Sequence, residues 1–334
     1  MLNRFGKFGI NIVYMSTLNG KNILVTGATG LVGSHLVETL LEIKGANIVC
    51  LVREKNPTSY FYAQKFDEKV TSAYGDLADK ERIFNIVTKY EIDYIFHIGA
   101  EAIVPTAFIN PYETFTSNIM GTVHVLEAAR LSPRVKGVIV ASSDKAYGKN
   151  CHNATEDNPL AGDHPYDVSK SCTDLIALSY FKTYGVPVTV SRFGNIYGPG
   201  DLNMNRIIPG IMKSIIAGET LELRSDGTFL RDYVYVKDVV DGYITLAEKI
   251  DIAKGEAFNF SSGHNFSVLD LVSKVGSIVG KDVPYSILNT QKNEIPAQSL
   301  NFDKAQRMLE WKPVSSFDAS IQETFAWYLE YLRK

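Results

Sequence analysis

Tyr166 and Lys170 lie four residues apart just after Pro165, which puts both side chains on one face near the start of a helix. A tyrosine so placed can take a proton from an alcohol as hydride leaves the adjoining carbon, because a neighbouring cation favours the phenolate. Ser143-Asp144-Lys145 sets a hydroxyl, an acid and a candidate base side by side. Asp144 and Lys145 suit general acid–base chemistry, or else form a structural ion pair at a strand end. Taken alone, Tyr-x-x-x-Lys is common, and two surface residues satisfy it equally well.

A second feature supplies the hydride acceptor. Thr26-Gly27-Ala28-Thr29-Gly30-Leu31-Val32-Gly33 follows an apolar strand and opens a helical pattern. Gly27 allows a tight turn, Gly30 lets backbone approach a pyrophosphate, and Gly33 lets helix and strand pack closely. Thr29, Leu31 and Val32 complete a cofactor site at the helix N-terminus, where unpaired N–H groups and the dipole favour phosphate. The dinucleotide expected there is NAD or NADP. At the end of the second strand, Arg53 suits a 2′-phosphate and Glu54 suits ribose hydroxyls, with a slight lean to NADP from Arg53. Asp76 and Leu77, after the third strand, fall near the adenine.

These residues need a scaffold in which strands and helices alternate. Buried-type strands are read at residues 22–26, 47–52, 70–74, 94–98, 135–141 and 186–191, and helical patterns at 30–44, 81–90, 114–131 and 167–184. That rhythm implies an α/β fold with a Rossmann-type, doubly wound parallel sheet. After Arg192, Gly194, Gly198, Pro199, Gly200 and Pro209 break the rhythm, and further helices are read at 268–279 and 317–332. The division expected is an N-terminal extension over 1–20 and a dinucleotide domain over 21–193, with 233–261 packing back onto it. A smaller α/β C-terminal substrate lobe takes 194–232 and 262–334.

A chain of 334 residues, 45% hydrophobic and 21% charged, can bury a substantial globular core. A net charge of −3 argues against nucleic acid or an anionic membrane as partner. Three cysteines without metal-ligand spacing point to no metal, no disulfide framework and a reducing, cytoplasmic compartment. No apolar run approaches the roughly 18 residues of a membrane span, and the first 16 residues lack the apolar centre of a signal peptide.

In combination the motifs resemble the extended short-chain dehydrogenase/reductase family, most nearly its nucleotide-sugar dehydratases and epimerases. The resemblance spans about residues 20 to 330. It rests on His97-Ile98-Gly99-Ala100, Asn118 with Gly121-Thr122, Ser142 to Gly148, Arg192 to Pro199, Arg231 to Asp238 and Leu309-Glu310-Trp311-Lys312-Pro313. Gly99 stands where the family usually has Ala, and Glu310 where it has Gly. The resemblance implies that His97 and Ala100 border the cofactor, and that Ser143 hydrogen-bonds the sugar 4-hydroxyl. It further implies substrate contacts at Asn118 and Asn195 and a diphosphate clamp at Arg231.

Asp144-Lys145 is similar to the Ser/Thr-Asp-Lys of CDP-glucose 4,6-dehydratases; simple 4-epimerases usually carry small, non-acidic residues there. The implied reaction on a nucleotide-diphosphate sugar oxidises C4, eliminates water across C5 and C6, and returns hydride to C6, with or without inversion at C5. The resemblance also implies that the cofactor is held tightly and regenerated each turnover. Asp144 is then the acid and Lys145 the C5 base, provided that burial beside a cationic cofactor favours the neutral amine. A 4-epimerase or 4-reductase is the competing reading, and a non-catalytic dinucleotide sensor the remote one. The helices at 114–131 and 167–184 match those through which the family forms homodimers. Leu175, Leu178 and Phe181 supply either that seam or the subunit's own core.

Overall fold

The computed structural model describes residues 16–149, 151–290 and 296–333. Residues 1–15 of the expected extension lie outside the described residues. The remainder of that stretch belongs to the fold: Leu18, in the turn before the first strand, is fully buried in the main core.

Six short apolar runs become β1 (Asn22–Thr26), β2 (Asn47–Val52), β3 (Thr71–Tyr74), β4 (Tyr94–His97), β5 (Gly137–Ala141) and β6 (Val188–Phe193). With β10 (Ala257–Phe260) they form a seven-stranded parallel sheet in the order β10-β6-β5-β4-β1-β2-β3. β1, β4, β5 and β6 are buried almost throughout, as continuous apolar strands between two helical layers must be. The helices Leu31–Leu41 and Val236–Glu248 cover one face. Lys80–Lys89, Gly121–Arg130 and Pro165–Tyr184 cover the other. The strand order reverses between β1 and β4, so a crevice opens at their carboxyl ends.

The smaller lobe has its own core and sheets. β9 (Leu230–Tyr235) pairs with β7 (Asn195–Tyr197), β11 (Asn265–Ser267) and β13 (Ala297–Gln298), while β8 (Leu221–Leu223) pairs with β12 (Tyr285–Ile287). The lobe therefore holds β9 as far as Tyr235, and the chain returns to the main sheet with the helix from Val236 rather than at residue 233. The segment expected as one helix over 114–131 is instead helix Pro111–Phe115, a π-helical turn Thr116–Met120 and helix Gly121–Arg130. Helix Asp303–Leu309 ends at Glu310, left-handed at φ 54°, with Lys249 Nζ donating to its Oε2 at 2.8 Å.

One buried network joins the sheet to the loops above it. Arg192 on β6 grips Asp174 of helix Pro165–Tyr184 through two hydrogen bonds of 2.7 and 2.8 Å. Its third nitrogen donates to Tyr147 Oη, which donates to Asn259 Oδ1 on β10 at 2.8 Å. Asp174 is fully buried and Arg192 3% exposed, so each charge depends on the other. Asp174→Ala should lower unfolding free energy by about 3–5 kcal/mol, because it strands a buried guanidinium. Urea denaturation checks this, and a loss below about 1 kcal/mol would show that the network does not hold the fold.

Candidate functional site

The glycine turn makes a cradle that side chains would fill. Gly27 has φ +72°, and a Cβ there would sit 2.7 Å from the Cα and N of Gly99. A Cβ on Gly33 would lie 2.0 Å from the Gly27 carbonyl oxygen. At Gly30 a Cβ would meet, among the described residues, just that oxygen, at 3.4 Å, so backbone there is open to a ligand. Helix Leu31–Leu41 starts with Gly30 as its cap, without a capping side chain or an acidic residue in its first turn. Its N–H groups are left for an anion.

Thr29, Leu31 and Val32 line the cleft beside these glycines, and Arg53, Asp76, Leu77 and Ala100 line it further along. Arg53 is half exposed, its Nη1 3.6 Å from Glu113 Oε1. Asp76 accepts the Ala78 N–H at 2.8 Å, which fixes the turn after β3. The cleft, about 2180 Å³, has room for a dinucleotide and a second nucleotide-sized ligand.

Two expected contacts stand behind the cleft wall instead. His97 is 3% exposed; its Nδ1 bonds Thr26 Oγ1 at 2.9 Å and its Nε2 bonds Thr122 Oγ1 at 3.0 Å. Burial holds its pKa down to about 3, so a neutral ring ties β4 to β1 and to helix Gly121–Arg130. Asn118, in the π turn, accepts from Glu101 N at 2.7 Å and donates to Glu101 O and Ser169 Oγ at 3.0 and 2.9 Å. With its amide spent and 2% exposed, it positions the loop after β4 rather than facing a substrate. The motif revealed both residues, but a motif does not say which way a side chain points.

Across the cleft, β5 runs into a tight turn. Ser143 caps the short helix Asp144–Tyr147: its Oγ accepts the Lys145 N–H at 3.2 Å and donates to Asp144 Oδ1 at 2.9 Å. The same hydroxyl faces the Tyr166 phenol. Lys145 Nζ donates to Gln298 Oε1 at 3.1 Å. Asp144 and Lys145 thus take different partners, and among the described residues they form no ion pair with each other.

Pro165 opens the helix that carries Tyr166 and Lys170, and His164 caps it. Lys170 Nζ donates to Ala141 O at 2.8 Å and lies 6.0 Å from the Tyr166 ring centre. Burial pushes the Lys170 pKa down to about 8. Burial, then the Asp144 charge, pushes the Tyr166 phenol up to about 12. In the protein alone, desolvation outweighs the surrounding charges at the Tyr166 phenol.

Asn195 on β7 and Arg231 on β9 line the opposite wall. Asp167, on the same helix as Tyr166, and Gln298, neither singled out in the sequence, line the cleft too. Asp167, inside the Tyr-x-x-x-Lys motif, was open to notice as an acid beside the tyrosine. Its carboxyl is raised to about 6, chiefly by burial. Gln298 arrives through the pairing of β13 with β9, which no local pattern announces.

Asp232, beside Arg231, is 1% exposed, and its carboxyl meets no hydrogen-bond partner among the described residues. The Ser261 hydroxyl and the N–H groups of Ser262 and Leu300 stand around it without reaching bonding geometry, and burial lifts its pKa to about 7. A raised folded-state pKa gives stability that is present at low pH and lost as pH climbs towards 7. The advantage of Asp232→Asn over wild type should therefore grow by roughly 2–3 kcal/mol between pH 5 and pH 8. Urea melts at both pH values check it, and parallel curves would show that Asp232 folds already ionised.

A family model for the NAD dependent epimerase/dehydratase family matches residues 23–261. A CDP-glucose 4,6-dehydratase of Salmonella typhimurium is 28% identical over 335 residues, covering 94% of this chain and 92% of its own. The solved UDP-glucose 4-epimerase of Thermotoga maritima, with UDP-glucose, has a TM-score of 0.84 at 27% identity, over 93% of this chain and 99% of its own. A dTDP-glucose 4,6-dehydratase of Bacillus anthracis in complex with NAD has a TM-score of 0.82 at 27% identity, over 93% and 97%. Among the described residues no helix is long and apolar enough to cross a membrane. The family match runs from the first strand of the main sheet to β10, through the glycine cradle and the Tyr166–Lys170 helix, and the chain belongs to the NAD dependent epimerase/dehydratase family.

Proposed function

We propose that the chain is a 4,6-dehydratase of nucleotide-diphosphate sugars. The observation that carries this is the turn after β5, which presents Ser143, Asp144 and Lys145 to the cleft opposite Tyr166, with the acid and the amine separately engaged. A 4-epimerase needs only the hydroxyl and the phenol. The cradle of Gly27, Gly30 and Gly33 and the uncapped helix behind it fit a dinucleotide. When bound, the cofactor supplies the hydride acceptor, taking hydride from C4 and giving it back at C6. The Bacillus anthracis relative supports NAD, while Arg53 suits NADP. The cofactor released by denatured protein identifies which one this chain keeps.

The residues balance the protons. Tyr166 takes the proton of the C4 hydroxyl, with Ser143 orienting that hydroxyl. Lys145 takes the C5 proton, now acidified by the neighbouring ketone, and Asp144 protonates the departing C6 hydroxyl, which leaves as water. Lys145 then returns a proton to C5. The net proton gained by Tyr166 equals the one lost by Asp144, and Ser143 stands between the two. Lys170 would hold the nicotinamide ribose, while Asn195 and Arg231 would hold the sugar and diphosphate. The free thiols Cys50, Cys151 and Cys172 suit a reducing, cytoplasmic setting.

Incubation with UDP-, CDP-, dTDP- and GDP-sugars in D₂O tests this, read by mass spectrometry and NMR. Loss of water with deuterium at C5 is expected for one nucleotide; unchanged mass with inversion at C4 would make the chain an epimerase. Tyr166→Phe should slow C4 oxidation by ~10²–10⁴-fold, and Lys145→Ala should slow C5 deuterium uptake by a similar factor. Wild-type rates in either variant would remove that residue from its role.

Homodimerisation through the helical segments 114–131 and 167–184 is part of the proposal. Leu178 and Phe181 pack into the subunit's own core, whereas Leu175 is 60% exposed and Met120 45%. The seam is therefore assigned to Leu175 and Met120. Leu175→Arg should convert a dimer to a monomer in light scattering, and an unchanged dimer mass would move the interface elsewhere.

A further inference from the structure

Gln298 stands between two parts of the cleft that come from different lobes. It ends β13, a two-residue strand whose register sets Gln298 beside Arg231 of β9. Lys145 approaches it from the turn after β5. The side chain is 1% exposed and lines the cleft.

Its two amide atoms have different fates. Oε1 accepts from Lys145 Nζ at 3.1 Å. An ammonium has only donors, so the atom facing it must be the carbonyl oxygen and the NH₂ must point elsewhere. That Nε2 is enclosed and has no hydrogen-bond partner among the described residues. An enclosed N–H without an acceptor is costly to keep, so an oxygen that arrives from outside the chain is strongly favoured there. The neighbour on the cleft wall is Arg231, whose guanidinium suits a phosphate.

We propose that Gln298 is a substrate-reading and positioning residue, its Nε2 donating to a phosphate oxygen of the sugar diphosphate while its Oε1 holds Lys145 over the sugar. This rests on the dehydratase reading above. Seating the diphosphate against Arg231 and Gln298 thereby sets the base that works at C5. An amide suits the place better than a carboxylate, which would pair with Lys145 and repel the diphosphate. The surroundings of Lys145 already hold acids: Asp144 on its own turn and Asp167 on helix Pro165–Tyr184, with His164 at that helix's cap and the buried Cys151 thiol nearby.

Two variants of similar size test it, each first shown to retain its cofactor and its thermal transition. Gln298→Met removes both hydrogen bonds. It should weaken binding of CDP, UDP or dTDP about tenfold in calorimetry and lower the ratio of C5 deuterium uptake to C4 oxidation. Gln298→Glu adds a carboxylate beside Lys145. It should move the acidic limb of C5 uptake to higher pH by about one unit while the limb for C4 oxidation stays. Wild-type nucleotide affinity in Gln298→Met, or an unmoved C5 limb in Gln298→Glu, overturns the proposal. Should the wild-type protein oxidise sugars without ever exchanging C5, the dehydratase reading fails instead; the calorimetry still decides whether Gln298 reads phosphate.

Discussion

The buried pair of Arg192 and Asp174 is the interaction on which the rest depends. It joins β6, the helix of Tyr166 and Lys170, and, through Tyr147 and Asn259, the turn of Ser143 to Lys145 and the edge strand β10. The acid and the amine are neighbours on one turn, whereas the phenol comes from a separate helix, and local sequence does not hold that helix to the turn. A fully desolvated charge pair tolerates little displacement, because either partner left alone is expensive. The turn of Ser143 to Lys145 and the helix of Tyr166 thus share one buried floor.

Above that floor the electrostatics are arranged for a ligand. The glycine cradle is a helix end without a capping side chain, and a phenol with its pKa near 12 stays protonated in the protein alone. A positive charge beside Tyr166 reverses that balance, since it acts on the charged form that burial penalises.

Much of this was legible in the chain. β1, β2 and the helix Val268–Val279 begin and end where their apolar spacing places them, because each is a buried run closed by a turn. The cradle was readable because its glycines answer to local geometry. The π turn at Thr116–Met120 was not, since such turns are rare single-turn bulges inside otherwise helical segments. β10 was not read as a strand, although the return of its segment to the sheet was expected. His97, Asn118 and Gln298 share one reason: their orientation is set by partners 17 to 153 residues away.

The corner at Glu310 carries a different kind of consequence. A left-handed residue at a helix end suits glycine, and this chain places a glutamate there and ties its carboxylate to Lys249. The backbone strain is indifferent to the medium, but the attraction that offsets it is not, for Glu310 is 84% exposed. Ionic strength therefore loosens this corner of the C-terminal segment in a way that a glycine-bearing corner would not feel.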